Sequence, residues 1–202
     1  MIAGRDGALA ARTVAALVHH PVVDRDGQII TTAVTNLDIH DLARSSRTYG
    51  LTAYHVVTPV AAQRHLVERI LGHWRSDEGH ASNDFRSQAL APVSVVSSVA
   101  ESIAAVERRF GAPPVLIATS ARPGARRIGY RQLVADPFLD ERPLLLLFGT
   151  GWGLAEEVLD RVDRVLAPLQ GAANYNHLSV RSAAAIILDR LFGDRDQEPE
   201  EP

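Results

Sequence analysis

The stretch from Leu144 to Phe192 limits the possible folds more than any other part of the chain: LLLLFGTGWGLAEEVLDRVDRVLAPLQGAANYNHLSVRSAAAIILDRLF. Pro143–Phe148 is short and apolar on both faces, as suits a central parallel strand covered on each side. Gly149-Thr150-Gly151-Trp152-Gly153 follows as a turn, and a helical pattern runs over Leu154–Val162. A second apolar run, Val165–Pro168, leads through the polar loop Gln170–Ser179 into a helix over Val180–Phe192. Two consecutive strand–loop–helix units are therefore expected. In a parallel sheet both loops leave the same edge, and ligands bind beyond the strand ends there.

The rest of the chain continues the alternation and predicts an α/β fold with a parallel sheet. Thr13–Val23 is rich in Val, Leu and Ala and reads as the first strand, with His19 and His20 pointing to opposite faces. Asp24–Gly27 is a turn, and Gln28–Thr35 a second strand or an extended arm. Asn36–Asp38 offers cap residues, Ile39, Leu42 and Ala43 begin a helical stripe, and Gly50 suits the C′ position. Ala53–Val57 reads as a strand and Ala61–Trp74 as a helix, with Leu66, Ile70 and Trp74 spaced by four. Gly72–Pro92 is polar and irregular and is expected to be a long loop, either a mobile surface excursion or one offering Trp74, Asn83, Phe85 and Arg86 for stacking and phosphate contacts. Val93–Val96 is strand-like, and Ser98–Glu101 fits a capping box for a helix that Gly111 ends. Val115–Thr119 is a buried strand, and a short helix is expected near Tyr130–Ala135.

Composition removes several classes of chemistry. Cysteine is absent, which excludes disulfides, thiolate catalysis and thiolate-bound metal. All 21 basic residues are arginine, so the lysine-bearing phosphate loop G-x-x-x-x-G-K-[ST] is impossible. His65 and His73 lie too far apart on a helix to share an ion, and no metal site is expected. No segment approaches the roughly 18–20 apolar residues of a membrane helix, and no apolar signal core precedes Arg12, so a cytoplasmic location is expected. The net charge of −3 gives no global attraction for nucleic acid. Locally, Arg122, Arg126, Arg127 and Arg131 fall in ten residues without an acid, a basic patch or a solvated turn.

Three alternate glycines at Gly149, Gly151 and Gly153 permit positive φ and let backbone N–H groups come close to a ligand; tight turn geometry alone is the other explanation. The pattern is G-x-G-x-G, and the next strand ends at Ala167-Pro168-Leu169 without an acid. Both features depart from the dinucleotide fingerprint. In the second loop, Ser179 is placed to cap the last helix, while Asn176 and His177 suit either a ligand or the loop itself. The apolar surroundings of Trp152, Leu154, Pro168 and Leu169 favour an adenine-bearing molecule over a polyphosphate.

Three segments together resemble the SPOUT superfamily of S-adenosylmethionine-dependent RNA methyltransferases. The first is Asn36–Gly50, NLDIHDLARSSRTYG, similar to a family motif with an asparagine and then an arginine, here Arg44, six residues before a glycine. The second is Leu144–Leu154 and the third Asn176–Ile187. The likeness extends from Ala15 to Phe192 and looks most like a bacterial group similar to the C-terminal domain of tRNA (guanine-N1)-methyltransferase. It implies a parallel-sheet fold with a C-terminal trefoil knot, an exception to the rule that connections are unknotted. It also implies a homodimer whose site is shared between subunits, acting on tRNA or rRNA. S-adenosylmethionine would be held bent by the loops after Ala118, Phe148 and Pro168. The residues implied are Thr119, Ser120, Gly149, Thr150, Gly151, Gly153, Pro168, Leu169, Asn176, His177, Leu178 and Ser179.

By the same resemblance Arg44 is the catalytic candidate, contacting the acceptor or its phosphate. An ion pair with Asp38, Asp41 or His40 is the plainer explanation for it. A nitrogen or hydroxyl acceptor also needs a base, for which Asp38, Asp41 and His40 are candidates by sequence proximity. Arg122, Arg126 and Arg127 are the expected RNA contacts, through phosphates. The apolar run Ala183–Leu188 surrounds its helix, as a dimer interface or burial within one subunit would require. Residues 1–193 are expected to form the methyltransferase domain and 194–202 a disordered acidic tail. The alternative is a non-catalytic RNA-binding or assembly protein that keeps the fold.

Overall fold

The apolar run at Leu144–Gly149 is the middle strand of a seven-stranded sheet, and every residue from Leu144 to Phe148 is buried. The computed structural model describes residues 5–122, 124, 127–172 and 175–193. Arg126 and the tail 194–202 lie outside the described residues. In chain order the elements are α1 (Arg5–Ala10), β1 (Thr13–Val18), β2 (Val22–Val23), β3 (Ile29–Ile30), α2 (Asn36–Thr48), β4 (Ala53–Val57), α3 (Ala61–Trp74), α4 (Asp77–Ser82), α5 (Asp84–Leu90), β5 (Val93–Val96), α6 (Val99–Phe110), β6 (Val115–Ala118), β7 (Arg127–Ile128), α7 (Tyr130–Val134), β8 (Leu144–Gly149), α8 (Glu156–Leu159), β9 (Arg164–Leu166) and α9 (Val180–Phe192).

The sheet order is β5-β4-β1-β8-β6-β9-β7, and every pairing is parallel. Alternate side chains of β8 feed two helical layers. Leu144, Leu146 and Phe148 pack with Ile39 and Leu42 of α2 and Ile187 and Leu188 of α9, while Leu145 and Leu147 pack with Val106 of α6 and Val158 of α8. Each such leucine contributes about 1.5–3 kcal/mol by leaving water. Among the described residues no helix is long and apolar enough to cross a membrane.

Several expectations are corrected. The supposed loop at 72–92 contains two short helices. Its polar residues are their caps: Ser76 Oγ accepts from the Gly79 N–H at 3.3 Å, and Asn83 Oδ1 from the Arg86 N–H at 3.0 Å. Helices of 6 and 7 residues are too short to display an apolar period, and α5 is held by packing on α2. The first strand stops at Val18, so both histidines follow it; His19 is buried and His20 half-buried. Gln28–Thr35 yields only Ile29–Ile30, paired antiparallel with Val22–Val23 as a small hairpin. The cap of α2 is Thr35, in a reciprocal capping box with Asp38. At α6, Ser98 caps as expected, but the Glu101 carboxylate bonds Ser97 instead of completing the box. The helix expected over 154–162 is only Glu156–Leu159, because Leu154 and Ala155 are bonded to Val22 and Pro21 instead of starting it.

Candidate active site

The strand exits at the carboxyl edge surround one cavity of about 750 Å³. Thr119 and Ser120 after β6, Gly149–Gly153 after β8, and Leu169 and Asn176–Ser179 after β9 all line it. Pro168 does not, although its neighbour Leu169 does. Thr32, Ala33 and Asp38 complete the wall. Asp38 is one of the base candidates, whereas no local pattern marks Thr32 and Ala33; the parallel register Val18↔Gly149 carries the segment after β1 to the glycine turn. Phe148, Val180, Ala183 and Ile187 supply an apolar floor, and Arg122 stands at the rim. A smaller cavity of about 330 Å³ adjoins it across Thr119, Trp152 and Arg122.

The glycine turn is built differently from the expected amide cradle. The amides of Thr150, Trp152 and Gly153 are bonded to Val18 O, Val23 O and Thr150 O at 3.2, 2.9 and 3.1 Å. Gly151 has φ +59, and a Cβ there would lie 2.9 Å from Val23 O. At Gly149 a Cβ would lie 2.7 Å from the Leu154 nitrogen. These glycines let the turn pack on the hairpin and on itself. The second loop is also tied down: Asn176 Nδ2 donates to Ala121 O at 3.2 Å, and Ser179 caps α9.

A hydrogen-bonded chain runs behind the turn. Thr150 Oγ1 donates to Val18 O at 3.0 Å, so its single proton is spent. Thr32 must then donate across the 2.5 Å contact to Thr150 Oγ1, and His19 Nδ1–H donates to Thr32 Oγ1 at 3.0 Å. This leaves a lone pair on His19 Nε2, which is buried without a hydrogen-bond partner among the described residues. Burial lowers the His19 pKa to about 4, against the opposing pull of Asp38, so the ring is neutral.

Asp38 is buried, and among the described residues it is the only carboxylate lining the large cavity. Its Oδ2 accepts from the Thr35 N–H and Oγ1–H at 3.1 and 2.6 Å, and its Oδ1 from Arg181 Nη1 at 3.0 Å. Arg181 also pairs with Asp41 at 3.4 Å, joining α9 to α2. The acids expected near Arg44 are thus engaged by Arg181. Arg44 is exposed on α2, outside the cavity lining and without an ion pair among the described residues. His40 packs edge-on to Trp74, and its pKa is lowered by burial and then by Arg86. Of the three base candidates only Asp38 reaches the cavity. Of the expected RNA contacts, Arg122 reaches it too, whereas Arg127 donates to the Arg122 carbonyl at 3.3 Å.

Residues 12–193 match the SAM-dependent RNA methyltransferase family. A protein named tRNA (guanine-N(1)-)-methyltransferase from Oleidesulfovibrio alaskensis is 48% identical over 179 residues, covering 89% of this chain and 41% of that protein. This chain therefore spans about two fifths of that relative's length. An uncharacterized protein of Aquifex aeolicus is 40% identical over 177 residues, 88% of this chain and 86% of its own length. Among solved structures, the TrmH/SpoU tRNA modifying enzyme of A. aeolicus superposes with a TM-score of 0.55 at 12% identity, over 93% of this chain and 78% of that one. The likeness is one of fold, an α/β architecture with a parallel sheet. With the family match spanning nearly every described residue, the chain belongs to the SAM-dependent RNA methyltransferases.

Proposed function

We propose that the 750 Å³ cavity holds S-adenosylmethionine and that the chain methylates tRNA or rRNA as a cytoplasmic homodimer. The observation that carries this reading is the convergence of all three C-terminal strand exits with Thr32 and Asp38 on one cavity of cofactor size. The lining suits the ligand. Phe148, Leu169, Leu178 and Ile187 offer apolar surface for an adenine ring, while the bonded amides of Thr150, Trp152 and Gly153, and Arg122 as the one guanidinium lining the cavity among the described residues, disfavour a polyphosphate. Bound there, S-adenosylmethionine supplies an electrophilic methyl group on a sulfonium sulfur.

The chain's own contribution is placement, which accounts for much of the rate in a displacement of this kind. Arg122 at the rim is placed to meet a phosphate, and Arg44 is assigned to the acceptor nucleotide. Arg44 lies outside its own subunit's cavity, which supports a site completed by a second copy of the chain. The exposed Ile186, Leu178 and Leu37 support the same assembly. The sheet order β8-β6-β9, with α9 returned against α2, supports a trefoil knot around the cavity loops.

Transfer of a labelled methyl group from S-adenosylmethionine into total RNA lacking the modification tests the proposal. Incorporation that falls about a hundredfold in Arg44→Ala, with cofactor affinity unchanged, is expected. Cofactor binding without any incorporation would replace the enzyme reading with that of a non-catalytic RNA-binding protein.

A further inference from the structure

Several hydrogen-bond acceptors line the large cavity. Three threonines reach the wall, and each hydroxyl proton points back into the protein: Thr119 to Leu147 O at 3.1 Å, Thr150 to Val18 O at 3.0 Å, and Thr32 to Thr150. What these side chains can offer a ligand is therefore oxygen lone pairs. Asp38 adds a carboxylate to the same wall. His19 bonds Thr32, which bonds Thr150, so one buried ring backs the threonine pair. That ring is neutral and adds no positive charge behind them. The carboxylate itself is bound by three donors from Thr35 and Arg181, and Arg181 is shared with Asp41, so two carboxylates and one guanidinium leave the cluster one formal negative charge.

We infer that Thr32, Thr150 and Asp38 form a subsite for the cationic sulfonium centre, so that the cavity distinguishes the charged methyl donor from the neutral thioether left after transfer. This rests on the cofactor reading above and goes beyond it by assigning the charge recognition to named atoms. A wall of lone pairs and one carboxylate attracts a positive sulfur and the polarised C–H bonds around it. It gives nothing comparable to a neutral sulfur. The same wall therefore favours exchange of the spent cofactor for a fresh one.

Calorimetric titration of the full chain with three ligands tests the inference. S-adenosylmethionine carries the sulfonium, S-adenosylhomocysteine lacks both charge and methyl, and sinefungin carries an ammonium with no transferable methyl. The wild-type protein is expected to bind both cations at least tenfold more tightly than S-adenosylhomocysteine. Asp38→Asn is expected to bring the ratio close to one while leaving S-adenosylhomocysteine affinity within about twofold. Thr32→Val, which keeps side-chain shape and so covers the case of an unstable Asp38 variant, is expected to lower cation affinity about threefold and leave the neutral ligand unchanged. Equal wild-type affinity for all three ligands, or an equal loss for all three in the variants, overturns the subsite and leaves the cofactor site standing. No binding of any of the three overturns the cofactor site and the subsite with it.

Discussion

The carboxyl edge of the sheet is built in two contrasting halves. On the β5–β4 side the chain turns from strand to helix at once and satisfies its own polar groups. Thr58 is buried, its carbonyl accepts from Arg64 at 3.2 Å, and its hydroxyl donates to Gln63 at 3.2 Å. Ser97 after β5 is held by the Glu101 carboxylate at 2.7 and 2.6 Å, and Ser98 caps α6. On the β8–β6–β9 side the exits are longer, they bond one another across the gap, and they leave a cavity. Both halves have the same parallel ladder and the same apolar strands. The difference lies in how soon each helix begins after its strand. Immediate capping closes an edge, and postponed capping, as from Leu166 to Val180, opens one.

Acidification challenges the two halves together. Each holds one buried histidine whose pKa burial lowers to about 4, His19 on the open side and His55 against Ser102 near the closed side. Both rings stay neutral in the fold while an unfolded histidine takes a proton near 6.5. Stability is therefore complete above pH 6.5 and is lost as the pH falls toward 4, by roughly 3 kcal/mol for each ring. Chemical denaturation across this range is the measurement. His55→Gln should flatten the profile without altering S-adenosylmethionine affinity, and His19→Gln should alter both.

Next in size is the glycine turn. Gly149→Val forces a Cβ into the space 2.7 Å from the Leu154 nitrogen and should weaken S-adenosylmethionine binding at least a hundredfold, read by calorimetry. A smaller effect is expected at Arg181→Met, which strips the ion-pair partner from buried Asp38. It should cost about 2 kcal/mol, below the range for a fully buried pair because Arg181 is partly exposed. The closed half gives the smallest effect. Ser98→Ala should cost about 1 kcal/mol of stability by removing the α6 cap and leave cofactor affinity unchanged.

The two halves also differ in how far they can be read from residues alone. Ala53–Val57, Ala61–Trp74 and Val93–Val96 have the expected bounds, although α3 starts without a side-chain cap and buries Val67 and Leu71, leaving Leu66 of the expected stripe exposed. On the open side β6, β8, β9 and the loops lining the cavity were legible, since the glycines and the late cap at Ser179 are local signals, whereas the two-residue strand β7 lies in the segment read as a basic loop. The helix after the glycine turn was overestimated, because Leu154 and Ala155 before it are bonded to Val22 and Pro21 and Asp163 beyond it is bonded to Leu116 of β6. Thr32 and Ala33 were not recognisable as cavity residues, and Asp38 was one of three base candidates that proximity in sequence could not separate. Only the β1–β8 register and the turn at His19 bring them to Gly149. The two helices at 77–90 were hidden for a related reason: short helices are specified by caps and by packing on α2, and their caps resemble loop residues.

The most direct test of the cofactor site is a crystal structure of the chain with S-adenosylmethionine. The account predicts continuous ligand density between the Gly149–Gly153 turn and Leu169–Val180, with the sulfur facing Thr32, Thr150 and Asp38. Ligand density elsewhere on the molecule, with this cavity filled by water or side chains, would contradict it.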